Sequence, residues 1–177
     1  MQSKSIDLLQ YHAWNYADAS YLDQLFMLQE LKEEGLINNL GLTNFDTAHL
    51  RIVATSGINI VSNQICYSLL DQRAAGTMTD VCKEFNIGIL AFGTLAGGFL
   101  SDKWLNIAEP KAAEISNWSL MKYKRFIDSA GGWAKFKSLL TTIHKIASNH
   151  GVSIANIASS YMLEQPAVAG IIIGARL

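Results

Sequence analysis

Short apolar runs alternate with longer amphipathic stretches along the whole chain. The first run is Ser5–Gln10, where Ile6, Leu8 and Leu9 predict a strand that delivers His12 and Trp14 at its end. Tyr21–Glu34 reads as a helix. Leu22, Leu25, Phe26, Leu28 and Leu31 lie broadly on one side, with Glu30, Lys32, Glu33 and Glu34 largely on the other. Ser20 followed by Asp23 resembles a capping box, and Gly35 is a stop signal. Asn39–Leu42 is a second strand. Asp46 caps a helix over Thr47–Thr55 that ends near Gly57. Ile58–Ser62 is a third strand, Thr77–Phe85 a helix, and Gly88–Phe92 a fourth strand.

From Gly93 to about Met121 no period is visible. Such a length exceeds an ordinary connection and points to an active-site excursion or flap. Trp133–His150 is helical, with Gly151 as terminator. Ser153 caps a last helix to about Glu164, Gln165-Pro166 breaks it, and a fifth strand starts at Gly170.

Strands apolar on both faces, separated by amphipathic helices, mean an α/β fold with a parallel sheet. Five βα repeats fit an open doubly wound sheet or part of a (β/α)8 TIM barrel. No Gly-rich turn follows the first strand; "QYHAW" stands there, which disfavours a Rossmann half. In a barrel the functional side chains sit where each strand gives way to its loop. Those ends hold His12, Asn44, Gln64, Phe92 and Gly174–Arg176.

At 177 residues and 50% hydrophobic, the chain can bury one real core, so residues 1–177 are read as a single domain. A net charge of -1 gives no attraction for nucleic acid or an anionic membrane. No apolar run is long enough to span a bilayer, and Met1–Ser5 lacks the apolar core of a signal peptide. Cys66 and Cys82 do not make a disulfide framework, so a cytoplasmic setting is expected. No general base or oxyanion motif accompanies Cys66 and His12, which argues against a thiol nucleophile. His12, His49, His144 and His150 lack metal-ligand spacing, and no metal is expected. Only 16% of residues are charged, as if part of the surface were covered.

The five strand ends carry a resemblance as well. "LLQYH", "LGLTNF", "SNQICYSLL", "LAFGTLAGGFLS" and "IIIGAR" resemble, in order and spacing, the aldo/keto reductases. The resemblance implies a (β/α)8 barrel that binds NADP(H) in extended form and reduces aldehydes or ketones, so a small-molecule carbonyl compound is the implied substrate. By the same resemblance, His12 is the catalytic histidine that orients the substrate carbonyl. Thr43, Asn44 and Gln64 hold the nicotinamide carboxamide. An amide side chain suits that task because it offers both donors and an acceptor. Phe92 stands where an aromatic ring, usually Tyr, stacks on the nicotinamide. Gly93, Thr94, Leu95, Gly97 and Gly98 follow the pyrophosphate, while Gly174, Ala175 and Arg176 begin the segment that holds the adenosine phosphate. Trp14 is placed in the substrate pocket.

The match begins just before the family's fourth strand, which makes the chain an incomplete barrel of about five strands, its C-terminal part. The family's catalytic Asp, Tyr and Lys have no matching positions here. An oxidoreductase by descent, the chain alone is therefore expected to be inactive. The alternative is a non-catalytic pseudoenzyme, or a half-barrel interaction or regulatory subunit. Two open sheet edges would then invite a complementing chain or self-association.

Overall fold

The computed structural model describes residues 4–111, 114–115 and 117–174. Five strands form one open parallel sheet: β1 (Leu9–Tyr11), β2 (Leu40–Thr43), β3 (Ile60–Cys66), β4 (Gly88–Phe92) and β5 (Val168–Ile172). Their order across the sheet is their order in the chain, β1-β2-β3-β4-β5. Each crossover therefore steps one strand along in the same direction. A doubly wound sheet would reverse at a switch point; sequential order is the winding of barrel staves.

Helices make the crossovers: α1 (Ser20–Glu33), α2 (Thr47–Thr55) and α3 (Thr77–Glu84). Between β4 and β5 lie two short 3₁₀ turns, Ala96–Gly98 and Asp102–Trp104, then α4 (Trp118–Ser129), α5 (Gly132–His150) and α6 (Ile154–Leu163).

By packing, the chain divides into two compact units. One comprises Met1–Ile65, Arg73–Leu90 and Pro166–Gly170; the other comprises Cys66–Gln72, Ala91–Gln165 and Ile171–Leu177. In the first, Leu25, Leu40, Leu42, Leu50, Val53 and Ile89 are fully buried. β2 shows how the strand divides its faces. Leu40 and Leu42 go into the core, while Gly41 lies on the opposite face beside Leu8, Gln10 and Ser62, so close that a methyl group there would collide with the Ser62 hydroxyl. In the second, Phe99, Leu100, Tyr123, Ile127, Phe136, Leu140 and Ile154 form the core. Each such side chain contributes about 1.5–3 kcal/mol through burial.

Several local expectations shift. β1 is shorter than Ser5–Gln10, with Ile6 making only an isolated bridge to Ile37. β3 runs on to Cys66, and β5 begins at Val168. The Ser20–Asp23 capping box does not form. The helix begins at Ser20 itself, and the Asp18 carboxylate accepts the Ser20 N–H at 2.9 Å. Nor is α1 one-sided: Tyr21 and Leu25 are buried, whereas Phe26, Met27 and Leu31 are exposed. α4 occupies a stretch where no helix was expected. Asn117 Oδ1 caps it by accepting the Ser119 and Leu120 N–H groups at 2.9 and 3.2 Å. The remaining signals hold. Asp46 caps α2, and Ser153 with Asn156 forms a capping box on α6. No helix among the described residues is long and apolar enough to cross a membrane.

Candidate active site

In the first unit, register sets the rim. Thr43 on β2 pairs with Gln64 on β3. The next residue, Asn44, takes a left-handed backbone, φ 58°. Its N–H donates to the Gln64 carbonyl at 2.8 Å, and its own carbonyl accepts the Tyr16 hydroxyl at 3.2 Å. Parallel pairing thus brings Thr43, Asn44 and Gln64 together. His12 follows the last residue of β1 and lies against Trp14, ring centroids 4.4 Å apart. Trp14 is 89% exposed, so it stands out from the unit rather than lining a closed pocket.

Behind this rim is an aromatic cluster. Tyr16 stacks on His49 at 4.0 Å and meets Phe45 and Tyr21 edge-on. Asp46 accepts the His49 backbone N–H at 2.9 Å and contacts His49 Nδ1 at 2.8 Å. Burial opposes the charge on Asp46, but the hydrogen bonds from His49 outweigh it and hold the carboxyl below the usual range. Burial, and then the charge of Asp46, push the Tyr16 phenol up to about 12.

The second unit holds a cavity of about 620 Å³. Phe92, Gly93, Thr94, Leu95, Gly97, Gly98 and Gly174, all marked by the sequence, line it together. Ala175 and Arg176 lie outside the described residues. The opposite wall was not foreseen: Lys103 and Trp104 from the second 3₁₀ turn, and Asn117, Ser119, Leu120 and Tyr123 from α4. Spacing supplied a signal for α4, since Leu120, Tyr123 and Ile127 recur at helical intervals behind a capping Asn. Lys103 had none; it joins the cavity wall through the fold alone, its Nζ 5.5 Å over the Trp104 ring.

Two glycines make room for α4. Gly93, φ 72°, faces the Tyr123 hydroxyl so closely that any Cβ would collide with it. At Gly97, φ 64°, a Cβ would come within 2.8 Å of both Ser119 Oγ and Tyr123 Cδ2. Tyr123 is buried and hydrogen-bonded with Cys66; burial first, then Cys66, push its phenol up to about 12. Lys122 Nζ lies 5.0 Å over the Phe92 ring. From α5, Lys137 donates to the carbonyls of Trp104, at 2.7 Å, and Leu105, which pins the turn that carries Lys103.

Thr94 decides what such a cavity suits. It is 1% exposed, and its hydroxyl has no hydrogen-bond partner among the described residues. A buried, unsatisfied hydroxyl on a cavity lined by left-handed glycines and a lysine fits a polar, anionic ligand.

A model of the aldo/keto reductase family matches residues 1–177. The chain belongs to the aldo/keto reductase family. Among curated relatives, flagellar radial spoke protein 5 of Chlamydomonas reinhardtii is 28% identical over 177 residues, which covers 90% of this chain and 33% of its own length. Protein tas of Escherichia coli is 30% identical over 162 residues, covering 88% of this chain and 44% of that protein. Of solved structures, a glycerol dehydrogenase from Gluconobacter oxydans superposes with a TM-score of 0.76 at 20% identity, covering 95% of this chain and 49% of that one. A thermostable aldo-keto reductase solved with the inhibitor epalrestat gives a TM-score of 0.67 at 22% identity, covering 99% and 52%. The five-stranded sheet therefore matches part of the fold of aldo-keto reductase (β/α)8 barrels, and the chain spans about a third to a half of the length of these relatives.

Proposed function

We propose that this chain carries the cofactor-gripping part of an NADPH-dependent oxidoreductase that reduces aldehydes or ketones. The observation that carries the reading is the second unit's cavity. It gathers the glycine loop after β4, Lys103 and Thr94, whose hydroxyl is unsatisfied among the described residues, on one ligand-sized space. In that role the loop from Gly93 to Gly98 and Lys103 receive the diphosphate. Backbone glycines allow close approach, and the ammonium offsets charge. Phe92 offers its face to the nicotinamide, and Gly174, Ala175 and Arg176 take the adenosine phosphate. In the first unit Thr43, Asn44 and Gln64 hold the carboxamide. His12 orients the carbonyl of the substrate, with Trp14 beside it. When bound, the cofactor supplies hydride.

Reduction also needs a proton at the carbonyl oxygen. No residue of the family's Asp, Tyr and Lys set has a matching position in these 177 residues. Tyr123 is no substitute, because burial holds its proton to about pH 12, whereas an effective acid titrates near the working pH. The chain by itself is therefore proposed to bind NADPH without turning it over. Cys66 and Cys82, which form no disulfide, suit a reducing, cytoplasmic compartment.

Fluorescence titration of the 177-residue chain with NADPH tests the reading. Saturable binding is expected, weakened about tenfold in Lys103→Ala by loss of one charge-assisted contact. No aldehyde-dependent NADPH loss above that of His12→Ala is expected. Failure to bind, or turnover by the chain alone, overturns the corresponding half of the reading.

A further inference from the structure

We propose that Tyr16 is a positioning residue for Asn44, and through Asn44 for recognition of the nicotinamide carboxamide. The proposal rests on the cofactor reading above but makes its own demand on the first unit.

Asn44 is not a glycine, yet its φ is 58°. A left-handed backbone at such a residue costs about 1–3 kcal/mol and persists only where the surroundings hold it. Two groups do so. The Gln64 carbonyl takes the Asn44 N–H, and the Tyr16 hydroxyl donates to the Asn44 carbonyl. With both backbone groups engaged, the exposed Asn44 side chain projects from a fixed peptide.

Tyr16 is itself held. Its ring is stacked on His49 with an interplanar angle of 18°, and Phe45 and Tyr21 meet it edge-on at 5.2 and 5.7 Å. His49 is fixed by Asp46, the cap of α2. A line of contacts thus runs from the start of α2 through Asp46, His49 and Tyr16 to Asn44. The aromatic packing asks only for a ring at position 16. The hydroxyl makes the hydrogen bond to Asn44, so a phenylalanine would keep the cluster and lose the link.

Tyr16→Phe isolates that link, and His49→Gln, which removes the stacking ring, is the second variant should the first fold poorly. Amide hydrogen exchange is measured first, without ligand. Exchange at Asn44 is expected to quicken about tenfold while Leu42 and Leu50, in the core beside it, stay unchanged. NADP+ and 2′-phospho-ADP-ribose, which lacks the nicotinamide, are then titrated. Affinity for NADP+ is expected to fall about three- to tenfold, the loss of one neutral hydrogen bond, with 2′-phospho-ADP-ribose unaffected. Unchanged exchange at Asn44 overturns the proposal, as does an equal loss for both ligands, which marks a merely structural role. Normal NADP+ binding by Tyr16→Phe overturns the positioning role and leaves the cofactor reading standing. If the unmodified chain binds neither ligand, the cofactor reading falls and takes the recognition role with it.

Discussion

Thr94 shows how one side chain separates folding from function. Its hydroxyl is buried without a partner among the described residues, so it carries a desolvation cost and returns no hydrogen bond to them. Thr94→Val keeps the shape and removes that cost. Denaturant unfolding is expected to show a variant as stable as the parent, or more stable by up to about 1 kcal/mol, with weaker NADPH binding. A loss of stability at unchanged affinity would give Thr94 to the fold instead. At this scale the sequence was informative where a strand ends. His12, Thr43, Asn44, Gln64 and Phe92 stand at or just beyond strand ends because an apolar run stops there. It was silent on Tyr16 and Lys103. They reach their places through contacts with residues distant in the chain, and no local period or motif records such a contact.

Helix α2 was legible to its ends, because Asp46 supplies a cap and the apolar positions supply a period. Its cap also sets a pH dependence. The folded pKa of Asp46 lies below the ordinary value of 3.8, so the charged carboxylate stabilises the folded state. That contribution is complete above pH 3.8 and is lost as pH falls through the lower, folded value. Asp46→Ala is expected to cost about 1 kcal/mol near neutrality, and its deficit should shrink as the pH drops below that range, as thermal melts across pH would record. A deficit that stays constant with pH would mean that the charge does not matter. Helix α4 was only partly legible: Leu120, Tyr123 and Ile127 recur at helical intervals, but its cap, Asn117, lies at the end of a long stretch without period. Its position depends on two distant glycines, Gly93 and Gly97, that admit Tyr123 and Ser119. For α1 the reading went too far. A run of leucines suggested one buried face, but Phe26, Met27 and Leu31 are exposed.

For the molecule as a whole, the sequential strand order carries the identification of the fold. Apolar strands and amphipathic helices alone left the doubly wound sheet open; the order of pairing, which depends on contacts far apart in sequence, excluded it. The central claim is that the glycine loop after β4 and the wall formed by Lys103 and α4 receive a nicotinamide dinucleotide. Amide chemical shifts of the isotopically labelled chain, recorded with and without saturating NADP+, test it most directly. We expect the shifted amides to fall at residues 92–98, at Lys103 and along the first turns of α4, and in the first unit at Thr43, Asn44 and Gln64. Shifts absent at saturation, or confined to a cavity of the first unit that Cys82, Lys83, Asn86 and Ala167 line, would contradict it.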